Sequence, residues 1–162
     1  MLSETLLRKF DELISRYPLK RSAMVPLLLY AQDEIGHVSE EVITEVARRA
    51  DVRPIEVVEV IGYYSMLHRQ PVGKRHVQVC TNISCMLRGS DELLEHCCKK
   101  LGIKAKQTTA DGLFSIEEVE CLGACTGAPA MQINYDYYEN MTPEKFDELI
   151  EELKKKEPRS RM

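Results

Sequence analysis

Apolar positions in the first third of the chain recur every three or four residues, and most recurrences begin at a capping residue. Leu6, Phe10, Leu13 and Ile14 form one such stripe. It predicts a helix over residues 3–16, with Ser3 as its cap and Pro18 just beyond its end. A second helix is predicted from Ser22 to Ile35, capped by Ser22, tolerating Pro26 near its start and stopped by Gly36. The run S-E-E-V at Ser39 opens a third, with acids against the helix dipole and Val42, Ile43, Val46 and Ala47 as its inner face. Pro54 opens a fourth, ending near Gly62. Short helices with tight connections predict a small helical bundle over residues 1–65.

The period then changes. Gln70 to Lys74 carries turn chemistry and marks a boundary between a unit at residues 1–70 and another at 71–162. His76 to Val79 alternates as a strand does. Ser90 is the expected cap of a helix with Leu93, Leu94, Cys97 and Leu101 on its inner face and Gly102 at its end. Asp111-Gly112 predicts a turn, Leu113 to Val119 a second strand, and Met131 to Ile133 a third. A turn over Asn134 to Asp136 leads to a partner strand at Tyr137 and Tyr138. Thr142-Pro143-Glu144 starts a final helix that buries Phe146, Leu149, Ile150 and Leu153. Strand, helix, strand, cysteine loop, strand, strand, helix is similar to the thioredoxin fold. The expected class is α/β, a mixed sheet with flanking helices, preceded by the helical bundle. The tail K-K-K-E-P-R-S-R-M is expected to be a solvated end.

Composition narrows the function. The 162 residues are 44% hydrophobic and 30% charged, with a net charge of −4. That balance argues against nucleic acid as a partner, since nucleic acid selects a basic surface. The longest apolar run, Ala23 to Ala31, is too short for a membrane span and contains a proline. The start M-L-S-E-T-L-L-R-K-F-D-E-L has no secretory core, and its acids disfavour a mitochondrial presequence, so a cytosolic protein is expected. Six cysteines in that compartment point to metal or redox chemistry before structural disulfides.

Four of the six stand out. Cys80 and Cys85 are separated by four residues, and Cys121 and Cys125 by three. Each pair follows an alternating run, so each is expected in a loop at a strand end. A [2Fe–2S] cluster needs two soft thiolates on each iron, and a pair at this spacing can chelate one iron. The small residues Gly123, Ala124, Gly127 and Ala128 let backbone N–H groups approach the sulfurs, and Thr81, Asn82 and Ser84 offer further donors. Zinc is the competing metal for such pairs. Disulfides fit a cytosolic chain less well, and a dithiol oxidoreductase needs a C-x-x-C that is absent.

The other candidates have simpler readings. Cys97 and Cys98 diverge by about 100° on a helix and read as buried small residues, with a redox role as the alternative. His37, His68, His76 and His96 lack ligand spacing and read as surface or satisfied groups. Tyr63, Tyr64, Tyr135, Tyr137 and Tyr138 read as core and interface packing, and Lys154 to Lys156 as a solvated helix end. No dinucleotide fingerprint, Walker motif or paired acid–base carboxylate is present, so no substrate pocket of its own is expected.

With these residues in place, P-V-G-K-R-H-V-Q-V-C-T-N-I-S-C-M-L-R-G-S-D-E-L-L-E and E-E-V-E-C-L-G-A-C-T-G-A-P resemble the thioredoxin-like [2Fe–2S] subunits of respiratory complex I, NADH:quinone oxidoreductase. L-L-Y-A-Q-D-E-I-G-H-V-S-E-E-V and Y-Y-S-M-L resemble the same family's helical region. The resemblance implies that Cys80, Cys85, Cys121 and Cys125 hold one [2Fe–2S] cluster. It implies a partner, the flavoprotein subunit that binds FMN and NADH, and a cluster that takes one electron from reduced flavin. It further implies that the helical unit grips that partner, and that the chain sits at the cytoplasmic side of the membrane through the complex, without inserting. Related subunits serve NAD-linked hydrogenases and formate dehydrogenases, which remain open. So does a zinc-stabilised interaction module.

Overall fold

A computed structural model describes residues 2–156, and the expectation for the remainder of the tail lies outside them. The chain forms two compact units that meet in sequence between Pro71 and Val72.

The first unit is helical. Helix α1 spans Glu4–Ser15, capped by Ser3, whose hydroxyl accepts from Leu6 N–H at 3.0 Å. Helix α2 spans Met24–Ile35 and ends at Gly36, φ 91°. It does not start at Ser22. A short 3-10 turn over Lys20–Ala23 feeds directly into it, and no side chain caps it. The turn already aligns the backbone, so the serine has no cap to make. Helix α3, Glu40–Ala50, is capped by Ser39 and closed by Asp51 in the left-handed region. Helix α4, Pro54–Tyr63, has Pro54 in its first turn, and Arg53 N–H donates to the Glu56 carboxylate at 3.0 Å.

The stripes converge as the spacing requires. Leu6, Phe10, Leu27, Leu28, Val42, Val46 and Val57 are buried in one core. Truncating Phe10 to Ala would remove about 3–5 kcal/mol. Arg49 ties α3 to α1 by pairing with both Glu45 and Asp11. Hydrogen bonds from Arg48 and then Arg49 hold the Glu45 carboxyl down at about 2. Gln32, itself buried, clips the chain after α4 onto α2: its amide donates to Met66 O at 2.8 Å and accepts from His68 N–H at 2.6 Å. Tyr63 is exposed and stacks edge-on against Tyr64, with ring centroids 5.1 Å apart. His37 departs from the satisfied reading, since its Nδ1 is buried without a hydrogen-bond partner.

The second unit is a five-stranded mixed sheet, with β1 Arg75–Cys80, β2 Gln107–Thr108, β3 Phe114–Val119, β4 Met131–Ile133 and β5 Asp136–Tyr138 in the order β2-β3-β1-β4-β5. Strands β1 and β3 are parallel, and the other pairs are antiparallel. Helices α5 Ile83–Met86 and α6 Ser90–Leu101 lie between β1 and β2, and α7 Pro143–Lys155 follows β5. Val77, Val79, Ile116, Met131 and Ile133 share one sheet face and pack with Leu93 and Cys97 of α6 and Phe146 and Ile150 of α7. Thr142 caps α7 by accepting from Lys145 N–H. Ser90 is not the cap of α6: Gly89 takes that place at φ 88°, and Ser90 begins the helix with its hydroxyl buried and unpartnered. Cys97 is fully buried and Cys98 partly so, and desolvation pushes both thiols upward. Tyr135 and Tyr137 are exposed, so only Tyr138 packs against this core.

The opposite face carries His76, Ser115 and Glu117. Ser115 Oγ accepts from Gly73 N–H at 3.0 Å, lies 2.8 Å from His76 Nδ1, and His76 Nε2 reaches Glu117 at 3.0 Å. This is the satisfied histidine the sequence suggests, and His96 is another, 2.9 Å from Asp147. Gly73 is required by space: a Cβ there would overlap the backbone of Phe114 and Ser115.

Candidate metal centre

Parallel pairing of β1 with β3 fixes the site. The register places Cys80, the last residue of β1, beside Val119, the last residue of β3. Both strands therefore deliver their outgoing loops to the same end of the sheet. The antiparallel neighbour β4 begins there too, and Cys80 N–H donates to Ala130 O at 3.1 Å. All four cysteines of the two pairs lie on these loops and strand ends.

The first pair is built into regular structure. Cys80 is a strand residue, 4% exposed, and Cys85 lies on the single turn α5, 2% exposed. The expectation of an irregular loop is corrected for Cys85: Asn82 caps the turn through its side chain, and Met86 and Leu87 N–H groups bond back to Asn82 and Ile83 carbonyls. Cys80, Cys85, Ala128 and Ala130 form a small buried cluster of their own, flanked by Leu122 and Ala124.

The second pair lies in the open. Cys121 and Cys125 are both exposed. Cys121 follows β3 by two residues, and Cys125 opens a 3-10 turn over Cys125–Gly127. Gly123, φ 72°, bends the chain so that its N–H donates to Cys121 Sγ at 3.3 Å. Residues other than glycine seldom adopt that φ. The loop returns to the sheet through a cis Ala128–Pro129 peptide.

The sulfurs of the two loops are close enough to influence one another's ionisation. The Cys85 thiol is pushed upward mainly by burial, and further by the nearby Cys80 and Cys125 sulfurs. An N–H from Ala130 offsets part of this. The donor set fits an iron–sulfur group: soft thiols, small neighbours, and the backbone N–H of Gly123 already on Cys121. Thr81 donates to Glu118 at 2.9 Å and Asn82 caps its own turn, so neither is committed to a sulfur.

Mixed sheet, flanking helices and four thiols at one sheet end together define a thioredoxin-like protein with a candidate thiolate metal centre. A model of the family described as thioredoxin-like [2Fe–2S] ferredoxin matches residues 10–154, and the chain belongs to that family. Among curated relatives, an NADH-quinone oxidoreductase subunit of Rhizobium meliloti is 42% identical over 150 residues, spanning 93% of this chain and 89% of its own. Its counterpart in Rickettsia bellii, also named as a subunit of NADH-quinone oxidoreductase, is 46% identical over 147 residues, 89% of this chain and 88% of its own. Among solved structures, an NAD+-reducing [NiFe]-hydrogenase chain in the H2-reduced state superposes with a TM-score of 0.74 at 20% identity. The match covers 84% of this chain and 23% of that one, and is a likeness of fold. No helix among the described residues is long and apolar enough to cross a membrane.

Proposed function

We propose that this chain is the one-electron carrier subunit of an NADH:quinone oxidoreductase, holding one [2Fe–2S] cluster on Cys80, Cys85, Cys121 and Cys125. The observation that carries the reading is the meeting of two cysteine loops at one sheet end, in a chain alike along nearly its whole length to NADH-quinone oxidoreductase subunits. Each pair, Cys80 with Cys85 and Cys121 with Cys125, would supply the two thiolates that one iron needs.

When bound, the cluster supplies one-electron transfer. The protein's own residues do the rest. Strands β1 and β3 hold the loops in register, Ala128 and Ala130 keep water from the inner pair, and the N–H groups of Gly123 and Ala130 stabilise thiolate charge. FMN and NADH belong to a flavoprotein partner, and this chain accepts one electron from the reduced flavin. Residues 1–70 are the arm that grips that partner, and the assembly places the chain at the cytoplasmic face of the membrane. A role beside an NAD-linked hydrogenase or formate dehydrogenase uses the same chemistry. The relatives named as quinone oxidoreductase subunits, at 42% and 46% identity, favour the first reading.

Affinity purification from the native host tests it. The expected result is a brown chain that co-purifies with a flavoprotein containing FMN, whose cluster NADH reduces only in that partner's presence. NADH oxidation by the chain alone, or a colourless zinc-loaded chain, would overturn the reading.

A further inference from the structure

The exit of β5 lies over the second cysteine loop. Asn140 N–H donates to Gly127 O at 2.6 Å, and Met141 N–H donates to Pro129 O at 3.0 Å. Asn140 adopts φ 49°, in the left-handed region, which turns the chain from the strand into this latch. Glu139 stands at the corner.

Gly127 is buried, and the space where its side chain would stand is taken by Glu139. A Cβ added at Gly127 would fall inside contact distance of Oε2, Cδ and Cβ of Glu139. Gly127 has no positive φ, so its backbone does not call for glycine. The close approach of Glu139 does. The Gly127 N–H donates to Ala124 O at 3.1 Å and not to a sulfur, so small size at this position serves to admit a carboxylate to the turn that Cys125 opens.

We propose that Glu139 is a tuning residue of the redox centre: seated on the Cys125–Gly127 turn in place of a Gly127 side chain, its carboxylate holds the reduction potential down. The proposal rests on the [2Fe–2S] reading above. Reduction adds one electron, supplied by reduced flavin or by dithionite, to a centre already surrounded by four thiolates, and no bond to the protein forms or breaks. A fixed negative charge nearby disfavours the reduced state more than the oxidised one. Glu139 is exposed, so water and salt screen the effect. Lys145 opposes it from the latch, where its Nζ donates to Asn140 O at 2.7 Å.

The test is a redox titration of the full chain carrying its cluster, followed by visible absorption and electron paramagnetic resonance. Glu139→Gln, Gly127→Ala, the double variant and Glu95→Gln are compared with wild type. Glu95 lies on α6 beside Lys99, and its substitution reports the effect of net charge alone. Glu139→Gln is expected to raise the reduced-to-oxidised ratio at a fixed poise about threefold, or ~28 mV at 59 mV per tenfold for one electron. The rise shrinks at high salt. Gly127→Ala displaces the carboxylate and shifts the ratio in the same direction, and adding Glu139→Gln to it brings no further rise. Glu95→Gln leaves the ratio unchanged. A Glu139→Gln protein with wild-type cluster spectra and an unchanged potential, or a shift no larger than that of Glu95→Gln, would overturn the proposal while leaving the cluster reading intact. Wild-type protein without cluster bands would overturn both. If Gly127→Ala fails to hold a cluster, Glu139→Gln alone decides.

Discussion

Cys80–Cys85 and Cys121–Cys125 have nearly the same spacing in the chain and opposite surroundings in the fold. The first pair is buried, one thiol on a central strand and one on a capped helical turn. The second is exposed, on a loop shaped by one left-handed glycine and one 3-10 turn. Spacing therefore sets what a pair can chelate, while burial sets how easily it is reached, ionised and disturbed. One pair is built into the core, and the other lies on an exposed loop beside it.

The largest expected effect tests whether the halves are equally necessary. Replacing Cys80, Cys85, Cys121 or Cys125 with Ala should each abolish the visible bands of the purified protein. Cys97→Ala should retain them and lose about 1–3 kcal/mol in urea melts, as a small buried side chain does. A normal cluster in Cys121→Ala would show that the exposed half is not a ligand pair.

The next effect separates the halves. In iron-free protein, brief iodoacetamide labelling read by mass spectrometry should modify Cys121 and Cys125 at least about tenfold faster than Cys85, with Cys97 slowest, because reactivity follows exposure and thiolate content. Equal rates at Cys85 and Cys125 would break the contrast.

A third outcome follows from pH. Burial raises the Cys85 thiol above its ordinary value of 9.0. Labelling of Cys85 should thus keep climbing above pH 9. Its raised folded value means that its contribution to the stability of the iron-free fold is full below about pH 9. It is lost as pH rises from there through the raised value. Urea midpoints between pH 8 and 11 should fall less in Cys85→Ala than in wild type. A parallel decline in both would remove the buried thiol as the cause.

The smallest effect is local. Gly123→Ala forces a Cβ into φ 72° and should cost about 1 kcal/mol, read as a lower urea midpoint. The Gly123 N–H contact to Cys121 should weaken with it, quickening cluster loss to a chelator.

Much of this architecture is legible from side-chain periodicity. Ser3 and Ser39 cap the helices their stripes predict, and the alternation in β1 and β3 delivers both cysteine pairs to strand ends. Where signals were local and ambiguous, the sequence misled. Ser22 and Ser90 look like caps, but a preceding 3-10 turn and Gly89 decide those helix starts. The turn α5 is too short for a period to show, and β2 has two exposed residues with no alternation. Tyrosine type alone does not separate core from interface packing, and Tyr63 is exposed while Tyr138 packs against the sheet core. The four thiols are legible because their chemistry is rare. Their unequal burial is not, since it depends on strands distant in sequence, β3 and β4, flanking β1. The reason for Gly127 is hidden in the same way, because Glu139 is twelve residues on.

The central claim is one two-iron centre on two unlike pairs. Iron and acid-labile sulfide analysis of wild-type protein, joined to spin quantitation after dithionite reduction, tests it most directly. The expected result is two irons and two sulfides per chain and one unpaired spin per reduced centre. A chain holding a single zinc, with no sulfide and no signal on reduction, would contradict it.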